Sequence, residues 1–176
     1  MNITDYYLHS IGPINEKETL LKLENIVKNS LLSKSKQGES VQSGIGSFLN
    51  GNDYISLLDL EVVNAYNEST GSTTKGFYND NSVTLLIDRE RVDNDTVHRN
   101  YCEYKDGKYP LTLGEIQVKD CIPSEYIVGI AIPKYYPDLD LLNSIIDNNG
   151  FEVAVCNYDG EVIRNTIINK QSANVR

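Results

Sequence analysis

Leu20, Leu23, Val27 and Leu31 recur at steps of three and four residues. That period lines one face of a helix and predicts a helix over 15–32. Asn15 stands at its N-cap, with Glu18 three residues on at the capping-box position. A second helical period, Leu139, Leu142, Ile145 and Ile146, predicts a helix over 138–149 that stops at Gly150, the left-handed position after a helix. Between the two, the pattern changes to short apolar runs. Tyr54 to Leu60 (YISLLDL) reads as a strand between turn formers, and Glu115 to Val118 alternates as a half-buried strand does. Ser82 to Asp88 (SVTLLID) and Tyr126 to Ile132 (YIVGIAI) are nearly continuous apolar runs, the mark of strands buried on both faces. Phe151–Asn157 and Glu161–Ile168 flank Tyr158-Asp159-Gly160, an Asp-Gly hairpin signal. The last residues, 170–176, are expected to fray.

The segments 33–52 and 67–81 are rich in Ser, Gly, Asn and Gln or Thr and are expected to be long, mobile surface connections. Connections of that length inside a domain usually serve a function, and these two flank the 54–60 strand, which points to that strand as the border of a ligand cleft. The segment 93–110 is polar and carries Tyr101, Tyr104 and Tyr109 with no period; a tyrosine-rich cover over the core is the plainer reading, and His98-Arg99 reads as solvated. The sum is one early helix, strands through the middle, and a late helix plus hairpin. This is an α+β domain.

At 176 residues, 40% of them hydrophobic and 23% charged, the chain fits a single domain over 1–176 that needs no disulfide or metal staple. Sixteen basic against 25 acidic residues leave a net charge of −9. Constitutive nucleic-acid binding, which needs a basic face to displace phosphate counterions, is disfavoured. No run of about 18 apolar residues exists, so no membrane span is expected, and residues 1–9 show no leader pattern. Cys102, Cys121 and Cys156 are odd in number and form no CxxC pair, and only His9 and His98 could add imidazole. Reduced thiols, a cytoplasmic location and no metal centre are the expectations.

Dinucleotide and P-loop glycine patterns, a GxSxG nucleophile elbow and HExxH are all absent. What stands out is Leu113-Gly114-Glu115-Ile116-Gln117-Val118, where a glutamate opens a strand, followed by Ile122-Pro123 and the buried run 126–132. Taken alone, a glutamate at a strand start is most often solvated, His9 an ordinary strand histidine, and Tyr54 and Ser56 a core tyrosine with a neighbouring hydroxyl.

Taken together and in order, these residues resemble the ADP-ribosyltransferase superfamily, most of all its bacterial DarT-like, His-Tyr-Glu branch. Tyr6-Tyr7-Leu8-His9 resembles the first motif, Asn25 to Leu32 the helix after it, Tyr54-Ile55-Ser56-Leu57 the second motif, and Glu115 with its Ile-Pro return the third. The resemblance implies two small, mostly antiparallel sheets around a cleft, with an N-terminal helix and a C-terminal helix plus hairpin. It implies NAD as a substrate, Glu115 as the catalytic carboxylate, and NAD contacts from His9, Ser10, Tyr54 and Ser56. The implied activity is transfer of ADP-ribose to an acceptor, with protein or small molecule favoured over nucleic acid, in a toxin or effector of bacterial or phage type. Ile11 stands where the family carries Thr, and Ser30 where it carries Gly. Leu113, two before Glu115, stands where arginine-modifying members carry Glu or Gln, which argues against an arginine acceptor. Two alternatives remain beside it: a catalytically inactive binding module on the same fold, and an RNA 2′-phosphotransferase, which would need more Arg and His than this chain has.

Overall fold

Residues 1–14, 17–37, 53–75, 80–97 and 113–165 are described in a computed structural model of the chain. Strands β1 (Tyr6–Pro13), β3 (Tyr54–Asp59), β4 (Ser82–Asp88), β5 (Glu115–Lys119), β7 (Ile127–Ile132), β8 (Ala154–Asn157) and β9 (Val162–Arg164) form one sheet in the order β5-β3-β1-β4-β7-β8-β9. All neighbours run antiparallel except β7 and β8, which are parallel and joined through helix α4 (Leu139–Asn148). The sheet is therefore mixed. Two-residue strands β2 (Leu31–Leu32) and β6 (Cys121–Ile122) pair separately. The α+β class stands, but the expected pair of small sheets is corrected to one sheet of seven strands and one of two.

The central strands explain why this sheet closes a core. Six of the seven residues of β4 are buried, so both of its faces are covered, as its continuous apolar run requires. On one face helix α1 (Lys17–Asn29) and α4 pack Leu20, Leu23, Ile26, Leu142, Ile145 and Ile146 onto Leu57, Leu85, Ile87, Ile130 and Val155. On the other, Ile3 and Val63 of helix α2 (Leu60–Thr70) cover Leu8, Leu58, Leu86, Ala131 and Cys156. Each such buried Leu or Ile contributes roughly 1.5–3 kcal/mol, so apolar packing outweighs any single polar link in holding the sheet. No helix among the described residues is long and apolar enough to cross a membrane.

Several expected boundaries move, each for a local reason. The first helix ends at Asn29, because Ser30 takes a left-handed conformation (φ 71°) and turns the chain into β2. Leu31 is thus a buried strand residue, and Ile26, not Val27, is the buried position of the third turn. The proposed N-cap Asn15 lies outside the described residues. The 54–60 strand stops at Asp59, whose carboxylate accepts from the N–H groups of Glu61 (3.0 Å) and Val62 (3.3 Å) and so caps α2. Helix α2 was hidden because it buries only Val63 and shows no apolar stripe. It also takes the first four residues of the expected 67–81 loop. A short helix α3 (Arg89–Asn94) follows β4 directly, capped by Asp88. Tyr126 belongs to a 3-10 turn (Ser124–Tyr126) rather than to β7. The hairpin forms between β8 and β9 with Gly160 at φ 84°, but 151–153 precede its strand. Most of the 33–52 connection, the 98–112 segment with its tyrosines and Cys102, and the chain beyond 165 lie outside the described residues.

Candidate functional site

The site grows from a fork in the sheet. β1 and β3 pair only at Tyr7↔Asp59 and Leu8↔Leu58, while β1 stays paired with β4 as far as Pro13. Beyond Leu8 the two strands diverge. The His9 side chain bridges the gap, its Nδ1 2.9 Å from the Ser56 carbonyl oxygen. A carbonyl only accepts, so Nδ1 carries the proton and, in the neutral ring, Nε2 is left as the acceptor. Burial pulls the His9 pKa below 6.5, more than the bond to Ser56 raises it, so the ring is neutral at pH 7.

A cleft of about 720 Å³ opens at the fork. That is within the roughly 300–1,000 Å³ of small-molecule sites. Its sheet side is lined by His9, Ser10, Ile11, Tyr54, Ile55 and Ser56, and its other side by α1 (Leu21, Lys22, Asn25 among others) and by Ser30 to Lys34. The expectation that β3 borders a cleft is thus met by the geometry. Four of the five residues assigned to the site line it: His9, Ser10, Tyr54 and Ser56.

Glu115 does not. It opens β5, opposite Leu58, and its Oε1 accepts a 2.7 Å hydrogen bond from the Ser56 hydroxyl. Alternation along paired strands puts Ser56, Glu115 and Gln117 on one face of the sheet and His9 on the other. His9 and Glu115 are therefore not brought into contact; both reach Ser56, one at its carbonyl and one at its hydroxyl. Ser10 Oγ donates to Ser82 Oγ (2.5 Å), a buried residue whose carbonyl in turn accepts from the Tyr158 hydroxyl. Burial raises the Tyr158 pKa to about 12, so that hydroxyl keeps its proton. Nothing in the sequence pattern signalled Ser82, Lys22, Asn25 or Gln117, because their relevance comes from pairing across strands and from the return of α1 over the fork.

Backbone geometry sets the start of β5. Gly114 has φ +74°, its carbonyl accepts from the Asp59 N–H at 2.7 Å, and a Cβ there would stand 2.6 Å from the Asp59 carbonyl oxygen. Only glycine fits both the conformation and the approach. Gly114→Ala is expected to lose about 2 kcal/mol of stability, the scale of a strained backbone position. Urea unfolding reads it, and a loss under about 0.5 kcal/mol would contradict this account of the turn.

The neutral His9 also fixes a pH dependence. Its folded pKa lies below the unfolded 6.5, so above that pH neither state binds the proton and there is no linkage. As pH falls below 6.5 the unfolded chain takes up the proton first, and stability is lost. Asp147, held below 3.8 by the Arg164 guanidinium, acts only at more acid pH. Stability measured at pH 7.5 and 5.5 should therefore fall, and the fall should shrink in His9→Gln; an equal fall in that variant would show that another group carries it.

Among the described residues no group of three or more His, Cys, Asp or Glu stands together as a metal site. No protein-family model matches this chain, and no curated protein or solved structure matches it either.

Proposed function

We propose that the chain is an NAD-consuming mono-ADP-ribosyltransferase, a single domain of that superfamily's fold. The observation that carries the reading is the Ser56–Glu115 hydrogen bond at the edge of a cleft lined by His9, Ser10 and Tyr54. The C1′–nicotinamide bond breaks and neutral nicotinamide leaves, and a nucleophile of the acceptor (water in its absence) bonds to C1′ and gives up its proton. A fixed carboxylate stabilises the oxocarbenium character of the ribose as it develops. Glu115 supplies the carboxylate, and Ser56 holds it. His9 Nε2 accepts from a ribose hydroxyl, Ser10 contacts the dinucleotide, and Tyr54 stacks on the nicotinamide ring. The acceptor is a protein or a small molecule, in keeping with the net charge of −9, and the protein acts in the cytoplasm, in keeping with the free thiols of Cys121 and Cys156.

One observation favours a second reading, a non-catalytic binding module on the same architecture: Glu115 stands behind Ser56 and not among the residues lining the cleft. An RNA 2′-phosphotransferase is disfavoured, since Lys22 and Lys34 are the cations of the described lining. Calorimetric titration with NAD tests the dinucleotide site that the transferase reading requires. Binding at millimolar or lower concentration, weakened by His9→Ala, supports a site in the fork. No binding by the unaltered chain would reject the dinucleotide, and unchanged affinity in His9→Ala would move it away from the fork.

A further inference from the structure

Gln117 lies two residues beyond Glu115 on the same face of β5, and directly opposite Ser56 in the β3–β5 register. Its Nε2 donates to Glu115 Oε1 at 3.3 Å, the same oxygen that accepts from Ser56 Oγ at 2.7 Å. The three side chains form a triangle across the edge pair of the sheet, with two neutral donors converging on one carboxylate oxygen. A glutamate side chain has three torsions, and the last is a broad well that one hydrogen bond leaves free to swing. A second donor, arriving from a different strand, fixes the plane of the carboxylate. Ser56 anchors from β3, and Gln117 anchors from β5 itself.

We propose that Gln117 is a positioning residue that, with Ser56, sets the orientation of the Glu115 carboxylate for ADP-ribosyl transfer. The inference rests on the transferase reading above and goes beyond it by assigning a role to a residue outside the cleft lining. A carboxylate that must meet a charge present only in the transition state gains from orientation far more than from proximity alone. Loss of the second donor should therefore lower the chemical step and leave NAD binding nearly untouched.

Two substitutions separate positioning from packing. Gln117→Met keeps the length and apolar contacts of the side chain and removes the donor. Gln117→His, assayed at about pH 8 where the ring is uncharged, keeps a neutral donor of similar reach and packs less well. The positioning role predicts that Gln117→Met lowers kcat for nicotinamide release by about tenfold with KM for NAD within about twofold, and that Gln117→His recovers most of the rate. A packing role predicts the reverse order, with Met the milder change. Equal kcat in the unaltered chain and Gln117→Met overturns the inference and leaves the transferase reading standing, whereas no nicotinamide release from the unaltered chain overturns both. A readout without turnover guards the geometry: the side-chain amide resonances of Gln117 in the full chain should shift on Glu115→Ala. Resonances that do not move would show that the two side chains are not in contact, and the proposal would fall.

Discussion

Asp59→Ala is expected to destabilise the protein by about 3–5 kcal/mol, the scale of removing one partner from a buried ion pair. Arg89 meets Asp59 with two parallel bonds, Nη1 to Oδ2 at 2.9 Å and Nη2 to Oδ1 at 2.7 Å, and the two side chains are 21% and 11% exposed. Arg89 also donates to the Thr4 carbonyl and lies 4.8 Å over the Tyr7 ring, whose hydroxyl donates to Asp93. Burial, then the bond to Asp93, raises the Tyr7 pKa to about 12, so the ring stays neutral beneath the cation. Without Asp59 the guanidinium keeps the Thr4 carbonyl and the Tyr7 ring, but the acidic partner left to it among the described residues is the exposed Glu61 carboxylate at 3.6 Å, and α2 loses its cap. Urea unfolding checks the loss. A value under about 1 kcal/mol would mean that the pair is worth no more than an exposed one. Replacing both partners, Asp59→Ala with Arg89→Met, should be milder than Asp59→Ala alone, because no charge is then stranded.

The second large effect concerns chemistry. Glu115→Gln keeps the size of the side chain and its capacity to accept from Ser56, and removes the negative charge. If that charge stabilises the ribose cation, nicotinamide release should slow at least about a hundredfold, on the order of 3 kcal/mol of barrier. NAD affinity should change far less, since the charge it meets develops in the transition state. A solvated glutamate at a strand edge would give a change within about 0.5 kcal/mol in either rate or stability. The ratio of rates for the two chains decides between these outcomes.

Much of the fold was legible where burial is two-sided or periodic. Ser82–Asp88 reads as a strand because both of its faces are covered and Val83, Leu85, Leu86 and Ile87 form a short apolar run, and its bounds need no correction. Helix α4 is bounded within a residue at each end by its apolar stripe and Gly150. Helix α2 was not legible, because its support comes from one buried valine and from a cap that doubles as an ion-pair partner, and neither leaves a period. The end of α1 was misplaced because a serine, not a glycine, takes the left-handed position.

At the site, the strands carrying His9, Tyr54, Ser56 and Glu115 could be read from the chain. The parity of β1 against β5 could not, since it depends on registers set by pairing across three strands. For the same reason, the convergence of Ser56 and Gln117 on one oxygen appears only once β3 and β5 are aligned.

The most direct test of the transferase account is a count of nicotinamide molecules released when the purified 176-residue chain is incubated with NAD labelled in the nicotinamide ring. The account predicts release above the rate of NAD alone in buffer, lost in Glu115→Gln and reduced in Ser56→Ala. Release no faster than in buffer, from a chain that still binds NAD, would contradict it and leave the fork as a binding site without chemistry.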